Sequence, residues 1–378
     1  MTSSFFTCFE PETLIKLQIF QGYIRNWLPV FLNKESKRKR VHILDLFAGP
    51  GQDRTGEKGT PLLCVEAARD YCQNSPGNRN FAQVHMHFND LDPAHVATLR
   101  TSVDDLRCHD TCCEYHFSNE DFNDAFFRIF RNLAPADPAL VILDPFGFDV
   151  SIEIIQEVAQ RKLTDLLLFY PSSIARRFGE PLVQSGAIPF TEAEIAELRD
   201  ADHYHAHRML GQFIQRRIPT PEYLIAPFSI QRGSNIYGVF FGSAKMLGIE
   251  KFLALCWKVD PKTGEANYNI DRESPQLSLF AEDLPANKRD RFREELCAFI
   301  REHRPTNCEL THFCYRSGFS KEKAREVLEV LSKEGIIVVW DNAGQKLARR
   351  NSFYLGHEHC KSDPAKVTFF VREDAPHV

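Results

Sequence analysis

The sequence lacks the phosphate-binding motifs of the common nucleotide folds. It contains no G-x-x-x-x-G-K-[ST] run and no three-glycine fingerprint of the dinucleotide-binding proteins. Asp45 and Phe47 stand where a nicotinamide enzyme needs small residues. These absences exclude a ligand that is held by its pyrophosphate after the first strand.

Long apolar runs are also missing, as is an N-terminal signal peptide. The 11 cysteines show no even spacing, which favours reduced thiols over a disulfide framework. We therefore expect a cytoplasmic protein without membrane contact. The composition is ordinary for a globular chain, and the net charge of −5 gives no case for nucleic acid by itself.

Residues 41–51, VHILDLFAGPG, are the stretch around which the chain is organised. The apolar start predicts a buried central strand, and the glycines predict a loop that lets a ligand approach the backbone. An acid, then Phe, then G-P-G resembles motif I of the class I S-adenosylmethionine methyltransferases. A carboxylate suits the ammonium and ribose hydroxyls of that ligand. The candidate cofactor residues in this stretch are Asp45, Phe47, Ala48, Gly49 and Gly51.

A second strand, at residues 81–88, leads into another acidic loop. We expect Asp90, followed by Leu91, to bind the ribose hydroxyls of the cofactor. Asp92 precedes a predicted helix at residues 93–106, and we expect it to cap that helix.

A third strand, at residues 113–117, is followed by Asp121 and Phe122. Asp121 is a candidate acceptor for the adenine amino group, with Phe122 flanking the ring. The competing interpretation is that Asp121 only caps the next helix.

Strands alternate with helices as far as residue 170 and finish in a hairpin at residues 223–230 and 236–242. This order predicts an α/β fold, a Rossmann-like class I methyltransferase sheet of parallel strands with a terminal antiparallel hairpin. The carboxyl ends of parallel strands share one edge, so the glycine loop should form one cleft with the loops that contain Asp90, Asp121 and, after the fourth strand, Asp144. We assign residues 1–260 to this domain, with a helical insertion at about 180–220.

The insertion contains His203, His205 and His207, which suggest a metal site. On a helix His203 and His207 share a face while His205 points away, and no well-spaced cysteine lies beside them. The cysteines within residues 108–113 lack zinc-binding spacing, and we interpret them as buried thiols. We therefore predict no metal site.

Residues 261–287 lose all periodicity and predict a linker, which is followed by a small domain at 288–378. Three predicted helices, the third from Lys321, precede strands at 336–340 and 353–355, an order typical of a winged helix. Winged helices bind nucleic acid or other proteins, and both possibilities stay open. The candidate nucleic-acid-binding residues are Lys321, Lys323, Arg325, Arg349 and Arg350.

Six features of the chain, in this order, resemble the three-Cys-motif partner family. They are the motif I stretch, Gly59-Thr-Pro, Asp144-Pro-Phe-Gly, the run from Asp165 to Tyr170, Arg176 and the C-terminal domain. The resemblance covers most of the chain, although Thr60 stands where Ser is expected. It implies a domain that binds S-adenosylmethionine and a partner protein with a three-Cys motif of the radical-enzyme type. It does not supply a substrate.

The candidate catalytic residues are Asp144, Pro145 and Phe146. Amino-group methyltransferases place [DNS]-P-P-[YFW] here, where acid and carbonyl accept hydrogen bonds from the exocyclic amine and the aromatic stacks on the base. The second proline is absent, and cytosine-C5 chemistry is disfavoured because the chain has no Pro-Cys dipeptide. We expect methyl transfer to nitrogen or oxygen of a nucleic acid, DNA rather than RNA. The alternative is a catalytically silent scaffold that binds DNA or partner proteins.

The linker contains a pentapeptide that resembles the peptide by which bacterial replication and repair proteins bind the sliding clamp. An apolar tether to the chain's own domain would need the same side chains. The residues are Gln276, Leu277, Ser278, Leu279 and Phe280.

Overall fold

The computed structural model describes most of the chain. The described residues are 6, 8–75, 77, 79–80, 82–106, 112–145, 147, 150–184, 188–201, 205–232, 235–261, 288–342, 346–361 and 365–372. The predicted linker, with its pentapeptide at 276–280, lies outside the described residues.

Seven strands form one sheet, in the spatial order β3-β2-β1-β4-β5-β7-β6. They are β1 Arg40–Asp45, β2 Gln83–Asn89, β3 Cys113–Ser118, β4 Ala139–Leu143, β5 Thr164–Tyr170, β6 Leu224–Arg232 and β7 Asn235–Ser243. The first five are parallel, and β7 runs antiparallel between β5 and β6. The predicted α/β sheet with a terminal antiparallel hairpin is confirmed, and its strand order is that of the class I methyltransferase fold.

Helices cover both faces of the sheet, as parallel strands require. They are α1 Pro11–Leu32, α2 Thr60–Asn74, α3 Pro93–Leu106, α4 Phe122–Phe130, α5 Ile152–Gln160, α6 Ser172–Gln184, α7 Glu192–Asp200, α8 Ala206–Arg217 and α9 Met246–Val259. The apolar face of α1 packs into one core with α2 and α9, whereas α4, α5 and α8 form the second core on the other face. No described helix is long and apolar enough to cross a membrane.

The described C-terminal part contains three helices, a fourth short one, and a three-stranded antiparallel sheet in the order β10-β8-β9. Its elements are α10 Lys288–His303, α11 Asn307–Arg316, α12 Lys321–Lys333, β8 Ile337–Asp341, β9 Lys346–Leu347, α13 His357–Cys360 and β10 Val367–Val371. The strand predicted at 353–355 is wrong. Tyr354 has a positive φ of 52°, and so does Asn351 just before it at 59°, which a strand does not tolerate. The third strand is β10 instead.

This C-terminal part packs directly on α9. Trp257 Nε1 donates a hydrogen bond to the Gly318 carbonyl at 3.1 Å, and the Phe319 ring lies 5.3 Å from the Trp257 ring. Lys321 forms an ion pair with Glu250 at 2.5 Å. The apolar side chains of α10–α12 therefore belong to the same buried cluster as α1 and α9.

The expectation that every cysteine near residue 112 is a free thiol is wrong. Cys112 is disulfide-bonded to Cys72, and Cys308 is bonded to Cys360. Cys113 keeps its thiol, and Cys108 lies outside the described residues. Disulfides are rare in a reducing compartment, so these pairs stand against the expectation of wholly reduced cysteines. Each pair is distant in sequence, and the spacing gives no sign of it.

The buried carboxylate of Asp165 links α1 to the sheet. Tyr23 on α1 donates a hydrogen bond to Oδ2 at 2.7 Å, and Ser243 on β7 donates one to Oδ1 at 2.6 Å. Burial raises the pKa of Asp165 to about 6, although these hydrogen bonds oppose the rise. At pH 8 the group is therefore an ionised carboxylate that depends on its donors.

We expect Tyr23→Phe to lower the free energy of unfolding by about 1.5–3 kcal/mol at pH 8, because the ionised carboxylate loses one donor. The matched control is Tyr223→Phe. The Tyr223 hydroxyl is also buried but has no hydrogen-bond partner among the described residues, so its removal breaks no hydrogen bond and should not lower the free energy of unfolding. Urea denaturation measures both variants, and equal losses would contradict the role given to the Tyr23 hydrogen bond.

Candidate cofactor and active site

A cavity of about 150 Å³ lies at the carboxyl ends of β1, β4 and β5. The strand ends contribute Asp45, Phe47 and Ala48 after β1, and Asp144 and Pro145 after β4. Helix α1 closes one side, and the segment that precedes it covers the cavity. The cavity lies at the edge of the sheet that the sequence predicts. Of the four residues predicted to meet there, Asp144 lines the cavity, whereas Gly49, Asp90 and Asp121 do not.

Asp45 is the most unusual charge in this cavity. Its side chain is only 1% exposed, and its Oδ2 atom has no hydrogen-bond partner among the described residues. Burial, followed by the nearby charges of Asp144 and Asp90, raises the pKa of Asp45 to about 8. The carboxyl group is therefore protonated at neutral pH, and a cation placed beside it would favour the charged form.

Asp144 is held by a lysine that the sequence did not indicate. Lys16 Nζ on α1 forms an ion pair with Asp144 Oδ2 at 2.5 Å and lies 4.7 Å from the centre of the Phe169 ring. The Lys16 side chain is 6% exposed, so the pair is shielded from water on the helix side, whereas Asp144 is 21% exposed. The helical pattern of α1 predicts its buried face, but a lysine on that face gives no signal of its own.

The glycine loop after β1 is held to the loop after β2. The Gly49 amide donates a hydrogen bond to Asp90 Oδ2 at 2.8 Å, while Asp90 Oδ1 accepts one from the Asp92 amide at 2.9 Å. Gly49 has a φ of +60°, which favours glycine. Because both Asp90 oxygens already have protein partners, ribose hydroxyls would have to share or replace them.

An N-terminal segment lies over this loop. The Phe6 ring occupies the space above Gly49, where a Cβ atom would come within 2.8 Å of it, and it contacts the His95 ring at 5.1 Å. The Phe9 amide donates to Asp53 Oδ2 at 2.7 Å, which fixes the segment to the far end of the loop. Phe6 and Phe9 both line the cavity. No local pattern links an N-terminal Phe to the loop after β1.

The residues predicted to contact adenine do not line the cavity. Asp121 caps α4 by accepting a hydrogen bond from the Asn123 amide at 2.9 Å, which is the competing interpretation stated above. Phe122 is buried, and its ring centre lies 4.7 Å from that of Phe47, which lines the cavity. Leu91 is 74% exposed. Asp92 caps α3 through the Ala94 amide, as predicted.

The remaining residues predicted for the site are Pro145, Phe146 and Gly51. Pro145 lines the cavity beside Asp144. Phe146 lies outside the described residues. Gly51 lies under the loop, where its φ of +88° and the nearby Leu99 leave no room for a side chain. The cavity is also lined by the Gly59-Thr-Pro motif. Further lining residues were not singled out from the sequence, namely Thr13, Leu17, Pro171, Ile174 and Tyr237.

The cations predicted to contact nucleic acid are mostly paired with carboxylates. Besides its pair with Glu250, Lys321 contacts Glu358, while Lys323 contacts Glu326 and Arg325 contacts Glu329. Lys321 and Lys323 also lie against α9, which the sequence did not indicate. Arg349 and Arg350 follow β9 and are exposed. Binding of nucleic acid by these residues stays a prediction.

The histidines of the insertion do not converge in the described part of the chain. His207 is fully buried in α8, and His205 Nδ1 lies 3.1 Å from an Arg291 guanidinium nitrogen. His203 lies outside the described residues.

The strand order of the sheet is that of the class I methyltransferase fold, and the cavity lies at the carboxyl ends of its strands.

No family model matches the chain, and no curated protein matches it. Solved structures of methyltransferases do resemble it. Trm1 from Pyrococcus horikoshii, solved with S-adenosyl-L-methionine, is 11% identical with a TM-score of 0.38, over 63% of this chain and 57% of Trm1. This chain therefore spans a little over half of the length of Trm1.

Two further structures show similar values. Magnesium protoporphyrin IX methyltransferase from Synechocystis, with bound SAH, is 13% identical with a TM-score of 0.31, over 61% of this chain and 83% of that one. A SAM-dependent methyltransferase from Agrobacterium tumefaciens is 12% identical with a TM-score of 0.33, over 62% and 63%.

Proposed function

We propose that this protein is an S-adenosylmethionine-dependent methyltransferase that acts on nitrogen or oxygen of a nucleic acid. The observation that carries the proposal is the pair of carboxyl groups at the ends of β1 and β4. Asp45 is buried, and its Oδ2 atom has no hydrogen-bond partner in the part of the chain that the structure describes; Asp144 lies beside it, paired with Lys16. A buried carboxyl group without a donor is costly, and a cationic ligand would supply the missing partner.

The residues around the cavity fit S-adenosylmethionine. Asp45 would hold its ammonium, the glycine backbone would allow its methionine part to approach, and Asp90 would accept from its ribose hydroxyls. When bound, this cofactor supplies a methyl group on a positively charged sulfur. Ligand cavities generally measure about 300–1,000 Å³, so the cavity of about 150 Å³ holds only part of it. Phe6 must therefore move from Gly49 for the whole cofactor to enter.

Asp144 and Pro145 would bind the acceptor. A carboxylate oxygen of Asp144 accepts a hydrogen bond from the attacking amine or hydroxyl and thereby orients its lone pair towards the methyl group. Lys16 fixes the Asp144 side chain through Oδ2. In this role Asp144 touches the substrate, whereas Lys16 is a positioning residue.

A nucleic acid as the acceptor is supported by the C-terminal part of the chain. Three helices and a three-stranded sheet have the order of a winged helix, and exposed Arg349 and Arg350 lie next to its short strand β9. We propose DNA as the preferred nucleic acid. We further propose a three-Cys-motif partner protein, and a sliding-clamp contact through residues 276–280, on the sequence resemblances alone.

A second candidate function is a methyltransferase-like scaffold without catalysis. The position of Phe6 over Gly49 favours it, as do the internal hydrogen bonds of Asp90, because both features occupy positions that the cofactor needs. In this case the protein would bind DNA or partner proteins and transfer no methyl group.

A transfer assay separates the two functions. Purified protein is incubated with tritiated S-adenosylmethionine in three separate reactions, which contain duplex DNA, single-stranded DNA or RNA. The label in the precipitated nucleic acid is then counted. Methyltransferase function predicts label that depends on both protein and acceptor. Cofactor binding without label in any acceptor would contradict the proposed activity and favour the scaffold.

A further inference from the structure

Four histidines lie side by side on one face of β1, β2 and β3, away from the residues of the cofactor cavity. They are His42, His85, His87 and His116, and the ring centres of neighbours are 4.6–5.5 Å apart in stacked geometry. Side chains of a strand alternate between faces, so the H-x-H of β2 and the E-x-H of β3 place their residues together. Nothing in the proposed methyl transfer uses this cluster.

Three atoms of the cluster have the spacing of metal ligands. His85 Nδ1 lies 3.2 Å from His116 Nε2 and 3.3 Å from Glu114 Oε2, and the two latter atoms are 3.8 Å apart. A tetrahedral zinc ion with bonds of about 2.0–2.1 Å separates its ligand atoms by about 3.3–3.4 Å. All three distances fall near this value, so one ion can reach the three atoms with small side-chain adjustments.

The chemistry of the donors agrees with the geometry. Two imidazoles and a carboxylate are ligands that zinc and related divalent transition metals accept. A metal ion binds an imidazole ring in its neutral form. Glu114 and His116 have side chains 46% and 45% exposed, which gives an ion a path from solvent.

We propose that His85, Glu114 and His116 form a binding site for one divalent transition-metal ion of the zinc class. Three protein ligands leave a fourth position for water. The site joins β3, at the edge of the sheet, to its neighbour β2. His85 precedes the last residue of β2, Asn89, by four positions, about 13 Å along a strand, so the ion would stabilise the sheet edge rather than act in the cavity.

The prediction of no metal site from the sequence therefore concerned other residues. It considered the histidines of the insertion, whereas the proposed ligands come from two strands that are neighbours only in the folded sheet. The alternating H-x-H and E-x-H patterns were the available signal.

The test uses full-length protein without a histidine tag, stripped of metal with a chelator and titrated with ZnCl₂ in a calorimeter. We expect one zinc per chain, and we expect His116→Gln to weaken binding by more than about 100-fold. His116 is half exposed, so the variant should fold, which circular dichroism checks. His303→Gln removes another exposed imidazole and should bind zinc like wild type.

A second group of possible zinc ligands, made of cysteines, needs its own control variant. Cys72, Cys112 and Cys113 also lie close together, and a reduced protein could bind zinc there. Cys113→Ser should leave the stoichiometric binding unchanged if the proposed site is right. The proposal is overturned if wild type binds no stoichiometric zinc, if His116→Gln binds as tightly as wild type, or if Cys113→Ser alone loses the ion. A histidine cluster joined only by hydrogen bonds would give the first of these results.

Discussion

Asp144→Asn should lower the rate of methyl transfer by about 10²–10⁴-fold and leave the affinity for S-adenosylmethionine within about threefold of wild type. The amide keeps the size of the side chain but removes the negative charge. The carboxylate would accept a hydrogen bond from the amine or hydroxyl of the substrate and polarise that group, which a neutral amide does less well. Asparagine is preferable to alanine, because its amide oxygen can still accept a hydrogen bond from the buried Lys16 ammonium, whereas alanine removes that acceptor as well.

The matched control is Asp121→Asn. Asp121 is an exposed helix cap outside the cavity, and asparagine caps helices as well as aspartate does, so transfer should stay at the wild-type rate. Rates with tritiated cofactor and the best acceptor measure both variants, and calorimetry measures cofactor binding. Wild-type transfer in Asp144→Asn would show that Asp144 is not the residue that binds the acceptor.

The affinity for S-adenosylmethionine should rise with pH between about 6 and 7.5, by up to about tenfold per pH unit. The pKa of Asp45 is about 8 in the free protein, so the group is protonated over this range. A bound cation lowers that pKa, and binding therefore releases about one proton and becomes tighter as the proton concentration falls. Above this range the amino group of the ligand, with an ordinary pKa of about 7.7–8.0, begins to lose its own charge.

Calorimetry in two buffers with different ionisation enthalpies counts the released proton. Asp45→Asn should remove both the proton release and the pH dependence. Asp92→Asn, which retains a side-chain cap for α3, should keep both. An affinity that falls as pH rises, or a pH dependence that persists in Asp45→Asn, would contradict the role of Asp45 as the group that meets the cation.

The sequence predicted those parts of the site that depend on one strand and the loop that follows it. A buried apolar run, an acid and a glycine turn lie within 11 residues, and the positive φ of Gly49 and Gly51 follows from the turn. The parallel sheet was predicted from the alternation of strands and helices, because parallel strands need crossover connections. Asp92 was assigned correctly because a helix cap is a local feature.

The parts that were missed depend on contacts between distant segments. Lys16 pairs with Asp144 from a helix 128 residues earlier, and Phe6 covers a loop that it meets only in the folded chain. The same reason explains Cys72–Cys112 and the ion pairs of Lys321 with α9 and α13. The assignment of 353–355 to a strand failed because aromatic residues favour strands by composition, whereas the backbone at Tyr354 is left-handed.

The central claim is that the cavity at the carboxyl ends of β1, β4 and β5, together with Asp90 after β2, binds S-adenosylmethionine. Its most direct test is a calorimetric titration of the purified protein with this ligand at pH 7.5, beside Asp90→Ala and the Asp92→Asn control. We predict micromolar binding to wild type and to the control, and binding weaker by about 10–100-fold in Asp90→Ala, because a charged hydrogen-bond acceptor is lost. Equal affinity in Asp90→Ala, or no heat from the wild-type protein, would contradict the claim.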